Sequence, residues 1–147
     1  MTREPISILL VEDNEDEVVL TRRVLQAITR VRIVQVTRDG EETMTILRNQ
    51  AKGTPATLPD LVLLDINLPK KNGLEVLCEV KHEPALRHLP IIMLTTSQRE
   101  EDIVKSYSYG ACSYIPKPVE VQRFLEVMQG FESYWMTVSL IPKRKSI

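Results

Sequence analysis

Residues 61–73 read LVLLDINLPKKNG. The apolar run Leu61 to Leu64 predicts a strand that is buried on both faces, and the run ends at Asp65. Pro, Lys, Asn and Gly in the next residues predict a loop, after which a helix is predicted from Leu74 to about His82. This stretch is therefore typical of the strand–loop–helix unit of an α/β protein.

The same alternation extends to both sides of this stretch. Further strands are predicted at Ile6–Val11, Val31–Val36, Pro90–Leu94 and Cys112–Ile115. Further helices are predicted from Asp13 or Asn14 to about Ile28, from Asp39-Gly40 to about Gln50, from Gln98 to Tyr109 and from Val119 onwards. Five strands that alternate with five helices predict an α/β domain in three layers, with a parallel sheet covered on both faces.

Length and composition narrow the class of protein. The chain has 147 residues, which favours one domain, and its net charge of −1 offers no general attraction to nucleic acid or to an anionic membrane. The amino-terminal sequence lacks a signal-peptide pattern and no stretch is long and apolar enough to span a bilayer, so we expect a cytoplasmic protein. Cys78 and Cys112 are too few for a disulfide framework and are expected to be small buried side chains.

Polar side chains follow four of the predicted strands. Glu12 and Asp13 follow the first, Asp65 ends the third, Thr95 ends the fourth and Lys117 lies just past the fifth. Because ligands of open α/β sheets bind beyond the carboxyl ends of the strands, these groups are expected to converge. Clustered carboxylates suit Mg²⁺, an ammonium and a hydroxyl suit a phosphoryl group, and a carboxylate can itself accept phosphoryl.

Four motifs in this order resemble the receiver domain of the response regulators of two-component signalling. They are LLVEDN at 9–14, LLDINLPKKNG at 63–73, PIIMLTTS at 90–97 and YIPKP at 114–118. The resemblance covers nearly the whole chain and implies a flavodoxin-like fold with strand order 2-1-3-4-5 over residues 1–130. It also implies a signalling phosphoacceptor rather than an enzyme with a substrate of its own.

The resemblance implies a role for each acidic position. Asp65 would be the phosphoacceptor, attacking the phosphohistidine of a sensor histidine kinase. Asp13 would hold Mg²⁺ directly, Glu12 would hold it through water, and Asp65 would be a further ligand. Asn67 would contribute its backbone carbonyl to the same ion.

The other motif residues are implied to contact or sense the phosphoryl group. Lys117 would pair with its oxygens, aimed by a cis peptide bond to Pro118. Thr95 would donate a hydrogen bond from its hydroxyl. Tyr114 would be an aromatic switch that turns inward when Thr95 moves.

The carboxyl-terminal residues 131–147 extend beyond a usual receiver. Their apolar side chains, among them Phe131, Tyr134 and Trp135, would form a large exposed patch if left uncovered. The segment folds back on its own domain or forms a homodimer interface, where Trp and Tyr are enriched. The extension and the long loop at 51–59 are similar to those of the small stand-alone regulators of bacterial phytochromes, which implies a phytochrome-type kinase as the partner.

Two alternatives of other classes remain open at this level. A phosphatase of the haloacid dehalogenase type also uses a nucleophilic Asp at a strand end, but it generally needs a second carboxylate where this chain has Asn67. A flavodoxin-like cofactor binder would need a Gly-rich or Ser/Thr-rich phosphate loop after the first strand. Glu12 and Asp13 stand there instead and would repel a flavin phosphate.

Overall fold

The computed structural model describes residues 5–53, 57–96 and 99–129. The elements in chain order are β1 (Ile6–Val11), α1 (Glu15–Gln26), β2 (Val31–Thr37), α2 (Gly40–Lys52), β3 (Leu61–Leu64), α3 (Gly73–His82), β4 (Ile91–Thr95), α4 (Glu100–Ser108), β5 (Ser113–Pro116) and α5 (121–129). The predicted alternation of strands and helices is confirmed.

The strands form one parallel sheet in the order β2-β1-β3-β4-β5. This is the order that the sequence resemblance implied. Pro116 lies in β5 opposite Thr95 of β4. A proline cannot donate a hydrogen bond to a sheet, and β5 is an edge strand, so Pro116 breaks no pairing on its outer side.

Successive side chains of the strands alternate between two separate hydrophobic cores. Ile8 and Leu10 of β1 belong to the core that α5 covers with Phe124, which is fully buried. Leu9 and Val11 point to the opposite face, into the core that contains residues of α2 and α3. Because successive strand side chains point to opposite faces, the near-continuous apolar strands require helices on both sides of the sheet.

Local capping explains where most helices begin. Asn14 accepts a hydrogen bond from the amide of Glu17 at 3.1 Å, Asp39 caps α2, and Asn72 forms a capping box with Glu75. The predicted start of α4 at Gln98 is wrong by two residues, since α4 begins at Glu100. Its capping residue, Arg99, makes no capping hydrogen bond with its side chain. Helix boundaries without a capping side chain are the least visible in sequence.

The expectation for the cysteines is wrong. Cys112 is exposed and Cys78 is half-buried. Cys112 lies just before β5, whereas Tyr114 and Ile115 within that strand are buried. No helix in the described part of the chain is both long and apolar enough to cross a membrane.

Candidate functional site

Three of the predicted site residues each stand one position past the end of a strand and still form a sheet-type backbone hydrogen bond. The amide of Glu12 donates to the Thr37 carbonyl at 3.0 Å, and the amide of Asp65 donates to the Val11 carbonyl at 3.1 Å. The amide of Lys117 donates to the Thr95 carbonyl at 2.9 Å. These three side chains therefore leave the backbone from the same edge of the sheet, where parallel strands end together.

Three carboxylates meet at this edge. Glu12, Asp13 and Asp65 each offer an oxygen within 4.8 Å of the others. Glu12 and Asp65 are buried, with 2% and 5% of their surface exposed, whereas Asp13 is exposed. Two buried carboxylates and an accessible one form a hard oxygen donor set that is open to solvent on one side, which fits a divalent cation that keeps several waters.

Lys117 lies between the two buried carboxylates. Its ammonium contacts Glu12 Oε1, donates to Asp65 Oδ2 at 3.1 Å and lies 3.9 Å from Glu17 Oε1. Burial alone would lower the pKa of Lys117, but the hydrogen bonds and charges of Glu12 and Asp65 outweigh burial and raise it. The Lys117–Pro118 peptide bond is cis, as the resemblance implied.

The surroundings of Glu12 change the pKa of its carboxyl group. Burial, reinforced by the negative charge of Asp65, raises the pKa of Glu12 from 4.5 to about 7, although the hydrogen bond from Lys117 acts in the opposite direction. The backbone amide of Asn14 also donates to Glu12 Oε2 at 3.3 Å. When all groups are ionised, the three carboxylates outnumber the single ammonium of Lys117, and a divalent cation would balance the remaining negative charge.

The raised pKa of Glu12 predicts how stability depends on pH in the absence of divalent ions. Between about pH 4.5 and pH 7 the folded state holds a proton that the unfolded state has released, so the free energy of unfolding rises as pH falls through 7. From pH 8 to pH 6 we expect a gain on the order of 1 kcal/mol. Urea unfolding in EDTA at several pH values measures it, and Glu12→Gln should flatten the dependence. An unchanged slope in Glu12→Gln would contradict the assignment to this carboxyl.

The remaining predicted residues surround this cluster. Thr95 is fully buried at the end of β4, and Tyr114 is buried in β5 opposite Met93. Asn67 is exposed, and its backbone amide donates to Asp65 Oδ1 at 3.3 Å. The predicted interface residues Phe131, Tyr134 and Trp135 lie outside the described part of the chain.

Sequence reasoning missed some of the contacts that hold the site. The sequence predicted that Lys117 pairs with a phosphoryl group. It did not predict that Lys117 contacts Glu12 directly or lies near Glu17. The structure also shows why position 73 is glycine, because a Cβ there would lie 2.0 Å from the Asp65 carbonyl oxygen. No local pattern marks these contacts, because their partners are distant in sequence or belong to the backbone.

The fold and the site define a receiver domain. The family model of the response regulator receiver domain matches residues 8–129, and the chain belongs to this family. Membership in the receiver family favours a signalling phosphoacceptor over a phosphatase of the haloacid dehalogenase type and over a flavodoxin-like cofactor binder.

Comparison with individual proteins finds response regulators that this chain covers almost completely. Response regulator Rcp1 of Synechocystis sp. is 38% identical over 138 residues, 94% of each chain. The Mn²⁺-bound form of Rcp1 superposes with a TM-score of 0.69 over 89% of this chain and 94% of Rcp1.

Two further structures show the same relationship. The phosphorylated cyanobacterial phytochrome response regulator RcpA is 38% identical, with a TM-score of 0.71 over 91% of this chain and 96% of RcpA. The bacteriophytochrome response regulator AtBRR is 42% identical, with a TM-score of 0.72 over 86% and 92% of the two chains.

Proposed function

We propose that this protein is a stand-alone response regulator of the cytoplasm that accepts a phosphoryl group on Asp65 from a sensor histidine kinase. One observation carries the proposal: a buried carboxylate follows the central strand β3, beside an ammonium and two further carboxylates. The result of phosphorylation would be a changed protein–protein interface. The net charge of −1 favours protein partners over nucleic acid or membrane.

We infer that the site takes Mg²⁺. Glu12, Asp13 and Asp65 would hold the ion with their carboxylates, and Asn67 with its backbone carbonyl. The oxygen donor set supports this assignment, and so does the Mn²⁺-bound form of the relative Rcp1. When bound, the ion supplies positive charge beside the phosphoryl oxygens and lowers the repulsion among the carboxylates.

The residues of the chain would carry out the transfer itself. An Asp65 carboxylate oxygen forms a bond to phosphorus while the P–N bond of the kinase phosphohistidine breaks, and the departing imidazole takes up a proton. Such a transfer requires mainly positioning and charge neutralisation. Lys117, already 3.1 Å from Asp65, would neutralise the phosphoryl oxygens.

Phosphorylation of Asp65 would change the positions of side chains on β4 and β5. Thr95 would donate its hydroxyl to the new phosphoryl group, and Tyr114 on the neighbouring strand would respond as an aromatic switch. Both side chains are buried at the same end of the sheet as Asp65. Phosphorylation would replace the single negative charge of Asp65 with a phosphoryl group of about −1.5 to −2, a change that can bias two arrangements of this surface.

A phytochrome-type kinase is the proposed phosphoryl donor. RcpA and AtBRR are both phytochrome response regulators by name, and each covers most of this chain at 38% and 42% identity. Rcp1 matches over 94% of its own length, which supports a regulator without a separate output domain.

The experiment is intact-protein mass spectrometry after incubation with acetyl phosphate, in Mg²⁺ and in EDTA, followed by borohydride trapping and peptide mapping. We expect one phosphoryl adduct that requires Mg²⁺ and maps to Asp65. If acetyl phosphate yields none, the same measurement is made with a phosphorylated phytochrome kinase. The absence of an adduct from both donors would overturn the proposed function.

We further propose that residues 1–130 form the receiver domain and that residues 131–147 form a dimerisation arm. The support is compositional, since Phe131, Tyr134 and Trp135 are side chains enriched in interfaces. Sedimentation across a dilution series is expected to show a homodimer that Trp135→Ala weakens at least tenfold. A monomer at every concentration, or a dimer indifferent to Trp135→Ala, would rule out this arm.

A further inference from the structure

The first residue of α2 lies against the loop that follows Asp65. An ideal Cβ on Gly40 would stand 2.0 Å from the Lys71 carbonyl oxygen and 2.7 Å from the Lys71 carbonyl carbon. Both atoms belong to the backbone, which cannot turn aside as a side chain can. Glycine at position 40 therefore allows a close approach between α2 and this loop.

The loop itself is closed by short-range backbone hydrogen bonds. The amide of Lys71 donates to the Pro69 carbonyl at 2.8 Å, and the amides of Leu68 and Gly73 both donate to the Ile66 carbonyl at 3.0 and 2.8 Å. Ile66 is the neighbour of Asp65. A displacement at Lys71 would consequently be passed to the backbone beside Asp65 rather than be absorbed within the loop.

A second constraint acts within the same loop. Lys70 has a φ of 68°, a left-handed conformation that is uncommon for a residue other than glycine. The Lys70 ammonium lies 3.8 Å from Asp39, the capping residue that directly precedes Gly40. The start of α2 therefore faces two consecutive residues of the loop.

The side chain of Lys71 provides a separate anchor. Its ammonium pairs with Glu79 of α3, and Glu79 also pairs with Arg48 of α2 at 3.0 Å. This anchor is partly exposed and is thus expected to contribute little. Gly40, in contrast, is buried.

We propose that Gly40 is a positioning residue for the phosphoacceptor loop: the close contact of α2 with the Lys71 carbonyl places Asp65 and Asn67 for metal binding. The proposal deepens the proposed function, because it concerns the same site. It adds a dependence of that site on a helix that contributes none of the proposed ligands.

The test compares two glycine substitutions at opposite ends of the sheet. Gly40→Ala inserts a methyl group against the loop, while alanine remains a good helix residue at that position. Gly110→Ala is the matched control, since Gly110 has a φ of 104° and precedes β5 at the far end from the site. Mn²⁺ binding is measured by electron paramagnetic resonance, and amide hydrogen exchange of Leu68 and Gly73 by NMR.

We expect Gly40→Ala to weaken Mn²⁺ binding at least tenfold and to speed exchange at Leu68 and Gly73. Gly110→Ala should change Mn²⁺ binding less than twofold despite its own loss of stability. Equal effects of the two substitutions would reduce Gly40 to a structural residue and overturn the proposal.

A third variant tests the proposal even if Gly40→Ala fails to fold. Lys71→Met removes the pair with Glu79 and leaves the backbone contact in place, so Mn²⁺ binding should stay within twofold. A loss above fivefold would show that the side-chain anchor positions the loop, contrary to the proposal. If the native protein binds no Mn²⁺, the proposed metal site fails, and the exchange rates at Leu68 and Gly73 still test the role of Gly40 separately.

Discussion

Replacing Asp65 with asparagine is expected to abolish the phosphoryl adduct while the protein remains folded. Asparagine has nearly the same shape, but Lys117 and the Asn67 amide donate to different oxygens of Asp65, so the single carboxamide oxygen keeps one of these two hydrogen bonds and loses the other. The carboxamide cannot act as the anionic nucleophile. Because the substitution also removes the repulsion between Asp65 and Glu12, we expect the free energy of unfolding to change by no more than about 1 kcal/mol.

A matched control lies at the other end of the same strand. Asp60 precedes β3, and its carboxylate accepts hydrogen bonds from the amide and hydroxyl of Ser7 at 2.9 and 3.1 Å. Asp60→Asn should keep the adduct. In Asp65→Asn the pKa of Glu12 should fall, since the charge of Asp65 contributes to raising it. Carboxyl NMR measures that pKa, and an adduct that persists in Asp65→Asn would assign the acceptor to another side chain.

Replacing Lys117 with methionine is expected to destabilise the metal-free protein more than any surface substitution. The change leaves Glu12 and Asp65 buried without their shared cation, and breaking a buried pair costs about 3–5 kcal/mol. A divalent cation supplies positive charge to the same carboxylates, so Mg²⁺ should restore part of the loss. Urea unfolding in EDTA and in Mg²⁺ measures both effects.

Lys81→Met is the control for the loss of a lysine as such. Lys81 is half-buried at the opposite end of the sheet, where its ammonium donates to the carbonyls of Arg87 and Leu89 at 3.1 and 2.7 Å. Among the described residues no carboxylate pairs with Lys81, so the stability change caused by Lys81→Met should be the same in EDTA and in Mg²⁺. If the loss of stability in Lys117→Met is also the same in EDTA and in Mg²⁺, then the cation and Lys117 do not share these carboxylates.

The elements of the fold could be predicted from sequence where the signal is local. The apolar run of β3 has the bounds that were predicted for it, because four consecutive leucine and valine residues between polar neighbours form a short buried strand. The start of α3 was predicted within one residue, because the loop residues Pro, Lys, Asn and Gly end there. The structure adds a capping box between Asn72 and Glu75. The start of α4 was missed because Arg99 offers no such signal.

The burial of single residues was less predictable. Cysteine is among the most buried residue types, and Cys112 was assigned accordingly, yet it is exposed. Cys112 lies just before β5, whereas Tyr114 and Ile115 within that strand are buried, and no local residue pattern distinguishes these positions. Strand order was implied by the family resemblance and not by the pattern of apolar residues.

The sequence by itself determined which side chains share one edge of the sheet. Parallel strands end on the same side, so the residues after the strands must gather there, whatever the order of the strands. Only the tertiary structure decided which atoms meet. Lys117 follows β5 and Glu12 follows β1, two strands that are not neighbours, and Gly40 contacts a backbone carbonyl of Lys71. Such contacts depend on how distant segments pack together, and no local residue pattern encodes that packing.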